Sequence, residues 1–138
     1  MTATGLSFGW IGTGRMGYLL ASRLLRGGHE VAVYNRSWVH VESLLELGAR
    51  IADRASQLVD QDIVFTTMPT SEDFRYAMLG PHGLFSVPGH CPLAVVDCSA
   101  VSDEVAAEVR AVAQRSGTRL IVAGRPAEVK EFPWLLQV

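Results

Sequence analysis

Short runs of consecutive apolar residues alternate along this chain with longer segments in which apolar residues recur every three or four positions. The short runs are typical of strands buried on both faces, whereas the longer pattern is typical of helices that pack one face on a sheet. This alternation indicates βαβ units and a largely parallel sheet. We therefore predict a doubly wound α/β fold with about six strands and with helices on both faces of the sheet.

The boundaries of the predicted elements follow from the apolar runs and from the glycines and serines that flank them. We expect the second helix to start after an N-cap at Ser37 and to bury Trp38, Val41 and Leu45. The last helix is expected to start after Ser102, with a buried stripe at Val105, Val109, Val112 and Ala113. The predicted strands cover residues 6–11, 31–34, 49–51, 63–67, 93–97 and 119–123.

Length and composition exclude several classes of protein. The chain has 138 residues, the size of one ordinary domain, and a net charge of −2, which does not favour a nucleic-acid partner. No apolar run approaches the roughly 18 residues of a membrane helix, and no signal peptide is recognisable. The two cysteines, Cys91 and Cys98, match no metal-binding spacing. We expect a cytoplasmic protein with no membrane contact and no bound metal.

The glycine-rich sequence Gly12-Thr13-Gly14-Arg15-Met16-Gly17 lies between the first predicted strand and the first predicted helix. This context is the one that a G-x-G-x-x-G motif needs in a Rossmann-type dinucleotide-binding domain. Gly12 would permit the tight turn, Gly14 would let the backbone approach a pyrophosphate, and Gly17 would let the helix pack close to the sheet. The alternative is a glycine-rich turn that binds no ligand.

The residues after the second predicted strand bear on the choice of cofactor. NAD-binding domains normally carry an acidic residue there, which contacts the ribose hydroxyls. This chain has Asn35 and Arg36 instead, and a guanidinium can hold a 2′-phosphate through two charge-assisted hydrogen bonds. The sequence therefore favours NADP(H), with NAD(H) the less favoured cofactor. The alternative for Arg36 is a solvated loop arginine.

Several stretches together resemble the N-terminal cofactor domain of the β-hydroxyacid dehydrogenases, a family that includes 3-hydroxyisobutyrate dehydrogenase and 6-phosphogluconate dehydrogenase and has imine reductases as close relatives. The resemblance covers about the first 120 residues, roughly one Rossmann-type domain. The matching stretches are Gly12 to Gly17, Gly28-His29-Glu30-Val31, Asn35-Arg36-Ser37, Gly48-Ala49, Met68-Pro69, Gly80-Pro81-His82-Gly83-Leu84-Phe85 and Val96-Asp97-Cys98-Ser99.

The resemblance implies a set of cofactor-binding residues. The six residues from Gly12 to Gly17 would contact the pyrophosphate, and Asn35, Arg36 and Ser37 would hold the adenosine ribose and its phosphate. Further along the chain, the residues implied to line the cofactor path are Met68 and Pro69, with Asp73 nearby.

Ser99 matches the serine of the family's Asp-x-Ser-Thr segment, which the resemblance places against the nicotinamide and the substrate. From the residues alone, Ser99 could equally be a helix-initiating serine, because serine is favoured near helix starts. The threonine that follows in the family is Ala100 here. The family's catalytic lysine also has no counterpart, since the only lysine is Lys130 and its surroundings do not match. We therefore assign no catalytic residue.

These observations predict two segments, a dinucleotide-binding domain over residues 1–123 and a divergent tail over residues 124–138. The resemblance implies an NADP-dependent oxidoreductase of 3-hydroxy acids, and we expect this chain to hold the cofactor domain without the catalytic half. One alternative is a non-catalytic module that binds NADPH or docks on a protein partner supplying a helical domain. Another is a truncated protein similar to imine reductases.

Overall fold

The computed structural model describes residues 6–12, 15–35, 41–99 and 101–123. The strands in these ranges are β1 (Ser7–Gly12), β2 (Glu30–Tyr34), β3 (Arg50–Ile51), β4 (Ile63–Thr67), β5 (Ala94–Asp97) and β6 (Arg119–Val122). The helices are α1 (Arg15–Arg26), α2 (Val41–Glu46), α3 (Ser71–Leu79) and α4 (Asp103–Ser116), and a 3-10 turn covers Ala55–Leu58.

The six strands form one parallel sheet in the order β3-β2-β1-β4-β5-β6. This arrangement confirms the predicted doubly wound α/β fold. The predicted strand ends agree with the structure to within one residue. Agreement is close because consecutive apolar residues bounded by polar or glycine positions mark a strand buried on both faces.

Side chains that alternate along the strands form two apolar layers, one on each face of the sheet. Phe8 and Trp10 of β1 lie in the layer covered by α1 and α2, whereas Ile11 lies in the layer covered by α3, α4 and the 3-10 turn. Successive strand residues point to opposite faces, so a strand with helices on both sides is apolar along most of its length. Helices therefore cover both faces of the sheet, as predicted.

The helix ends follow the predicted signals where the structure describes them. Ser102 caps α4 through its side chain, which accepts a hydrogen bond from the Val105 amide, and Gly117 ends the helix with a φ of +100°. Thr70 caps α3 in the same way. The predicted cap at Ser37 lies outside the described residues. No helix in the described part of the chain is long and apolar enough to cross a membrane.

The buried face of α2 differs from the prediction. Val41 is buried as expected, but Leu45 is 56% exposed and Leu44 is fully buried in its place. Leu44 and Leu45 lie on either side of Val41 around the helix, so the sequence spacing allowed either to face the sheet. In the structure Leu44, and not Leu45, joins the apolar layer that contains Phe8 and Trp10. In α4, Val112 is only partly buried, and Ala106 completes the stripe. Trp38 lies outside the described residues.

Candidate functional site

The register of the parallel sheet collects the carboxyl ends of its strands at one edge. Gly12 of β1 is level with Thr67 of β4, and Asp97 of β5 is level with Thr66 of β4. The chain runs from β1 outward to β2 and β3, then returns to place β4 on the other side of β1. Ligands of open α/β sheets bind in the crevice at such a switch point, outside the carboxyl ends of the strands.

Gly12 is the last residue of β1, and a side chain cannot fit there. Its φ is +140°, a conformation that residues with a Cβ rarely adopt. A Cβ at this position would also collide with the backbone carbonyl of Thr67. Only glycine therefore allows the end of β1 to lie this close to the backbone at the end of β4.

Gly17, in the first turns of α1, lies directly against the Trp10 indole ring. A Cβ on Gly17 would overlap the six-membered ring of Trp10, which is buried in β1. The indole Nε1 donates a hydrogen bond of 2.7 Å to Oγ1 of Thr67 in β4. One aromatic side chain thus fixes the spacing of α1, β1 and β4 around the glycine turn.

A pocket of about 260 Å³ opens beside the carboxyl ends of β2 and β4. Tyr34 and Met68 contribute from the ends of these strands, and Asp73 and Tyr76 contribute from α3. Its remaining lining residues are Asp53, Arg54, Ala55, Ala77 and His82. The volume suits part of an extended ligand rather than a whole one, because pockets for complete drug-sized molecules are usually about 300–1,000 Å³.

A second group of polar side chains lies at the ends of β4 and β5. Asp97 is fully buried, and its Oδ1 accepts hydrogen bonds from Oγ of Ser99 at 2.6 Å and from Oγ1 of Thr66 at 2.9 Å. Ser99 Oγ also accepts a hydrogen bond of 3.1 Å from the backbone N–H of Met68. The half-buried Ser99 therefore links the segment after β4 to the segment after β5.

Burial changes the acid–base properties of this group. Loss of solvent raises the pKa of Asp97, and the hydrogen bonds from Ser99 and Thr66 offset part of that effect. Burial, and secondarily the neighbouring Asp97 carboxylate, raises the pKa of Cys98 to about 12. The Cys98 thiol is thus protonated at neutral pH and is not a nucleophile.

The structure places the predicted site residues in three groups. Met68 and Asp73 line the same pocket, whereas Pro69 is exposed and is absent from its lining. The backbone of Arg15 and Met16 opens α1 beside Gly12 and Gly17, and Asn35 follows β2 directly. Ser99 lies at the ends of β4 and β5. The predicted residues Thr13, Gly14, Arg36 and Ser37 lie outside the described residues.

No site role was assigned from the sequence to Asp97, Trp10, Thr67 or Arg54. Asp97 carried a detectable signal, because an acidic residue that ends a buried apolar run must have hydrogen-bond partners. No sequence signal marked Arg54, because its position beside Tyr34 and Met68 depends on how the segment after β3 folds back over the sheet.

The sheet order, with glycines at the end of β1 and in the first turn of α1, is that of the Rossmann-type dinucleotide-binding domains. The family model for the NAD binding domain of 6-phosphogluconate dehydrogenase matches residues 7–125. The chain belongs to the β-hydroxyacid dehydrogenase family and corresponds to its N-terminal domain.

Individual relatives agree with this assignment. A 3-hydroxyisobutyrate dehydrogenase from Pseudomonas aeruginosa is 33% identical over 115 residues, which are 83% of this chain and 38% of the relative. The solved structure of Psf3 in complex with NADP+ and 2-OPP has a TM-score of 0.76 at 27% identity, covering 94% of this chain and 53% of Psf3.

An imine reductase from Myxococcus stipitatus in complex with NADP+ has the same fold, with a TM-score of 0.70 at 24% identity, over 95% of this chain and 51% of the reductase. This chain thus spans about half the length, or less, of the relatives that it matches.

Proposed function

We propose that this chain is the NADP(H)-binding domain of an oxidoreductase that acts on 3-hydroxy acids. The observation that carries the proposal is the glycine turn at the switch point of the sheet. Gly12 and Gly17 both occupy positions where a Cβ would collide with neighbouring groups. The adjacent start of α1 offers backbone N–H groups and the positive end of a helix dipole to a pyrophosphate.

The two halves of the sheet would receive the two halves of the dinucleotide, as in Rossmann-type domains generally. The adenosine end would occupy the pocket beside Tyr34, Met68 and Asp73, which opens at the ends of β2 and β4. Pro69 would border the path between this pocket and the pyrophosphate. The nicotinamide would lie over the ends of β4 and β5, next to Ser99.

The preference for NADP(H) over NAD(H) is based on the residues that follow β2. Asn35, Arg36 and Ser37 stand where NAD-binding domains place a carboxylate. No acidic side chain at these three positions would repel a 2′-phosphate, and the Arg36 guanidinium would form charge-assisted hydrogen bonds with it.

The bound nicotinamide would accept a hydride from the substrate carbinol carbon in oxidation and return it in reduction, so the protein must orient the nicotinamide and must provide a group that takes the proton of the substrate hydroxyl or gives it back. The residues of this chain supply the orientation. The 138 residues contain one lysine, Lys130, whose surroundings differ from those of the family's catalytic lysine. We therefore expect the purified chain to bind NADP+ and NADPH without oxidising 3-hydroxy acids when NADP+ is supplied, and turnover by the chain alone would contradict this part of the proposal.

Fluorescence titrations with NADPH and with NADH test cofactor binding and preference. The wild-type chain is expected to bind NADPH more tightly, and the Arg36→Ala variant should lose about 1–3 kcal/mol of NADPH affinity while its NADH affinity changes little. Arg26→Ala is the matched control, because it removes the same charge at the end of α1, opposite the glycine turn. Equal NADPH affinity in the wild type and Arg36→Ala would remove Arg36 from the site.

A further inference from the structure

The hydroxyl group of Ser99 has little hydrogen-bonding capacity left for a ligand. A serine hydroxyl can donate one hydrogen bond and accept two. The backbone N–H of Met68 can only donate, so Ser99 Oγ accepts in that contact. The Ser99 proton must then point elsewhere, and Oδ1 of Asp97 lies only 2.6 Å away.

Asp97 Oδ1 is itself restricted to accepting hydrogen bonds. The backbone N–H of Ser99 donates to it at 3.3 Å, and the hydroxyl of Thr66 donates at 2.9 Å. The Asp97 side chain is fully buried, so water does not compete for this oxygen. The 2.6 Å separation is in the range of strong hydrogen bonds between a hydroxyl and a carboxylate.

We propose that Asp97 is a positioning residue that holds the proton of Ser99, so that Ser99 presents only a lone pair to the bound ligand and accepts a hydrogen bond from the carboxamide N–H of the nicotinamide. The inference rests on the proposed function, which places the nicotinamide over the ends of β4 and β5. It goes beyond that function by making the Ser99 hydroxyl a hydrogen-bond acceptor only towards the ligand, a role that Asp97 imposes.

The role of Ser99 as a hydrogen-bond acceptor determines which ligand groups fit next to it. A carboxamide carries both a donor N–H and an acceptor C=O, so it can turn its donor towards the serine. A carbonyl or carboxylate oxygen at the same place would face a lone pair of Ser99 Oγ and would receive no hydrogen bond from it. The buried carboxylate of Asp97 lies directly behind Ser99. Such groups are disfavoured because the polar atoms would lose hydrogen bonds to water without replacement.

Dinucleotide analogues that differ in this one group test the inference. The 3-acetylpyridine analogue of NADP+ replaces the carboxamide NH2 by a methyl group, whereas the thionicotinamide analogue keeps the NH2 and replaces the oxygen by sulfur. We expect the wild-type chain to bind NADP+ and the thionicotinamide analogue alike, and to bind the acetylpyridine analogue about 3- to 10-fold more weakly. Dissociation constants are measured by fluorescence titration, with no turnover required.

Variants at both positions separate the roles of the two residues. Ser99→Ala should remove the discrimination between NADP+ and its acetylpyridine analogue. Ser99→Thr, which keeps a hydroxyl, should retain this discrimination. Asp97→Ala should reduce it, because the freed Ser99 proton could then be donated to the acetyl oxygen, whereas Asp97→Asn keeps an acceptor oxygen and should retain it. Full discrimination in Asp97→Ala would remove Asp97 from the proposed role.

A measurement on the wild-type chain covers the case in which Asp97→Ala does not fold. A hydroxyl proton held by a buried carboxylate exchanges slowly with water, so NMR should resolve a hydroxyl proton signal that is absent from Ser99→Ala. Identical hydroxyl signals in the two proteins would contradict the contact between Ser99 and Asp97.

The control ligand is 2′-phospho-ADP-ribose, which is NADP+ without its nicotinamide. The wild type and Ser99→Ala should bind it equally. If the wild type binds this ligand but treats NADP+ and its acetylpyridine analogue alike, the inference about Ser99 fails and the proposed function stands. If the wild type binds neither this ligand nor NADP+, the proposed function itself fails.

Discussion

Trp10 and Gly17 illustrate how single residues fix the site. The sequence predicts that Gly17 allows close packing between helix and sheet, and the structure gives the neighbour, the indole of Trp10. The same indole is anchored by its hydrogen bond to Thr67. The requirement for glycine at position 17 therefore comes from the protein interior rather than from contact with a ligand.

Replacing Gly17 by alanine should destabilise the domain, because the new methyl group would overlap the buried Trp10 ring. Overpacking of this kind costs about 1–3 kcal/mol, and a rigid indole leaves little room for adjustment. Urea unfolding of Gly17→Ala measures the loss. Gly27→Ala is the control, since the tightest contact of its Cβ would be 3.3 Å to a side-chain atom of His29, which is far milder than the overlap at Gly17. Equal stability of the two variants would contradict the packing described here.

Asp97 gives a second prediction at this scale, through pH. Because burial raises the pKa of Asp97 above its ordinary value of 3.8, the folded protein binds the proton more strongly than the unfolded chain. Between the ordinary and the raised pKa, the stability contributed by this group therefore falls as the pH rises. Asp97→Asn lacks this titration.

The measurement is urea unfolding of the wild type and Asp97→Asn across a series from about pH 4 to about pH 7. The free energy of unfolding of the wild type, relative to that of the variant, should decrease through this series until Asp97 is fully ionised. The slope is the readout, so a constant offset between the two proteins does not affect it. A difference that rises with pH would mean that the hydrogen bonds outweigh the burial.

At the scale of elements, strands were predicted more accurately than helix orientations. The run Ile63–Thr67 matches β4 residue for residue, because three consecutive apolar residues followed by two β-branched threonines are typical of a strand buried on both faces. For α2 the sequence allowed either Leu44 or Leu45 to face the sheet, and only the contact with the sheet distinguished them. The position of Arg54 at the pocket depends likewise on how the segment after β3 folds over the sheet.

Helices α3 and α4 are joined on the surface by a bidentate ion pair. Arg75 Nε and Nη2 donate to the two carboxylate oxygens of Glu108 at 2.8 and 2.9 Å. The hydrogen bond and charge of Glu108 raise the pKa of Arg75, and the hydrogen bond of Arg75 lowers the pKa of Glu108. Both side chains are more than two-fifths exposed, so solvent weakens the pair.

Glu108→Gln is therefore expected to lower the melting temperature only slightly at low salt, and the difference should disappear at high salt because exposed charges are screened. Since the pKa of Glu108 is lowered in the folded protein, its stabilising contribution is present at neutral pH and is lost as the pH falls through that lowered value. Thermal unfolding at two salt concentrations checks this result. An equal deficit at both concentrations would indicate lost packing rather than lost charge.

At the scale of the whole molecule, the sheet register brings the site together. Gly12, Met68 and Ser99 are distant in sequence, yet each lies at or just after the carboxyl end of a strand. The match to the family model covers residues 7–125, which include all six strands, and the matched relatives are longer than this domain. The domain is thus the part of the family that holds the dinucleotide.

A dinucleotide that contacts β1, β4 and β5 at once should stabilise the whole domain against unfolding. Ligand binding to the folded state alone contributes about 2.7 kcal/mol at a concentration 100 times the dissociation constant. NADPH at that concentration should therefore raise the melting temperature clearly, and NADH at the same concentration should raise it less. Scanning calorimetry measures both shifts, and larger stabilisation by NADH would contradict the proposed preference.

The sequence by itself determined the fold class, the strand positions and the glycine turn, because these depend on local patterns of apolar residues and on where glycine permits a tight turn. Tertiary structure alone decided which face of α2 is buried, how the 260 Å³ pocket is lined and how Ser99 is paired. These features depend on groups that are far apart in the chain and meet only through the register of the sheet. Asp97 is such a case, since its place after a buried strand is local but its contact with Thr66 requires β4 and β5 to lie side by side.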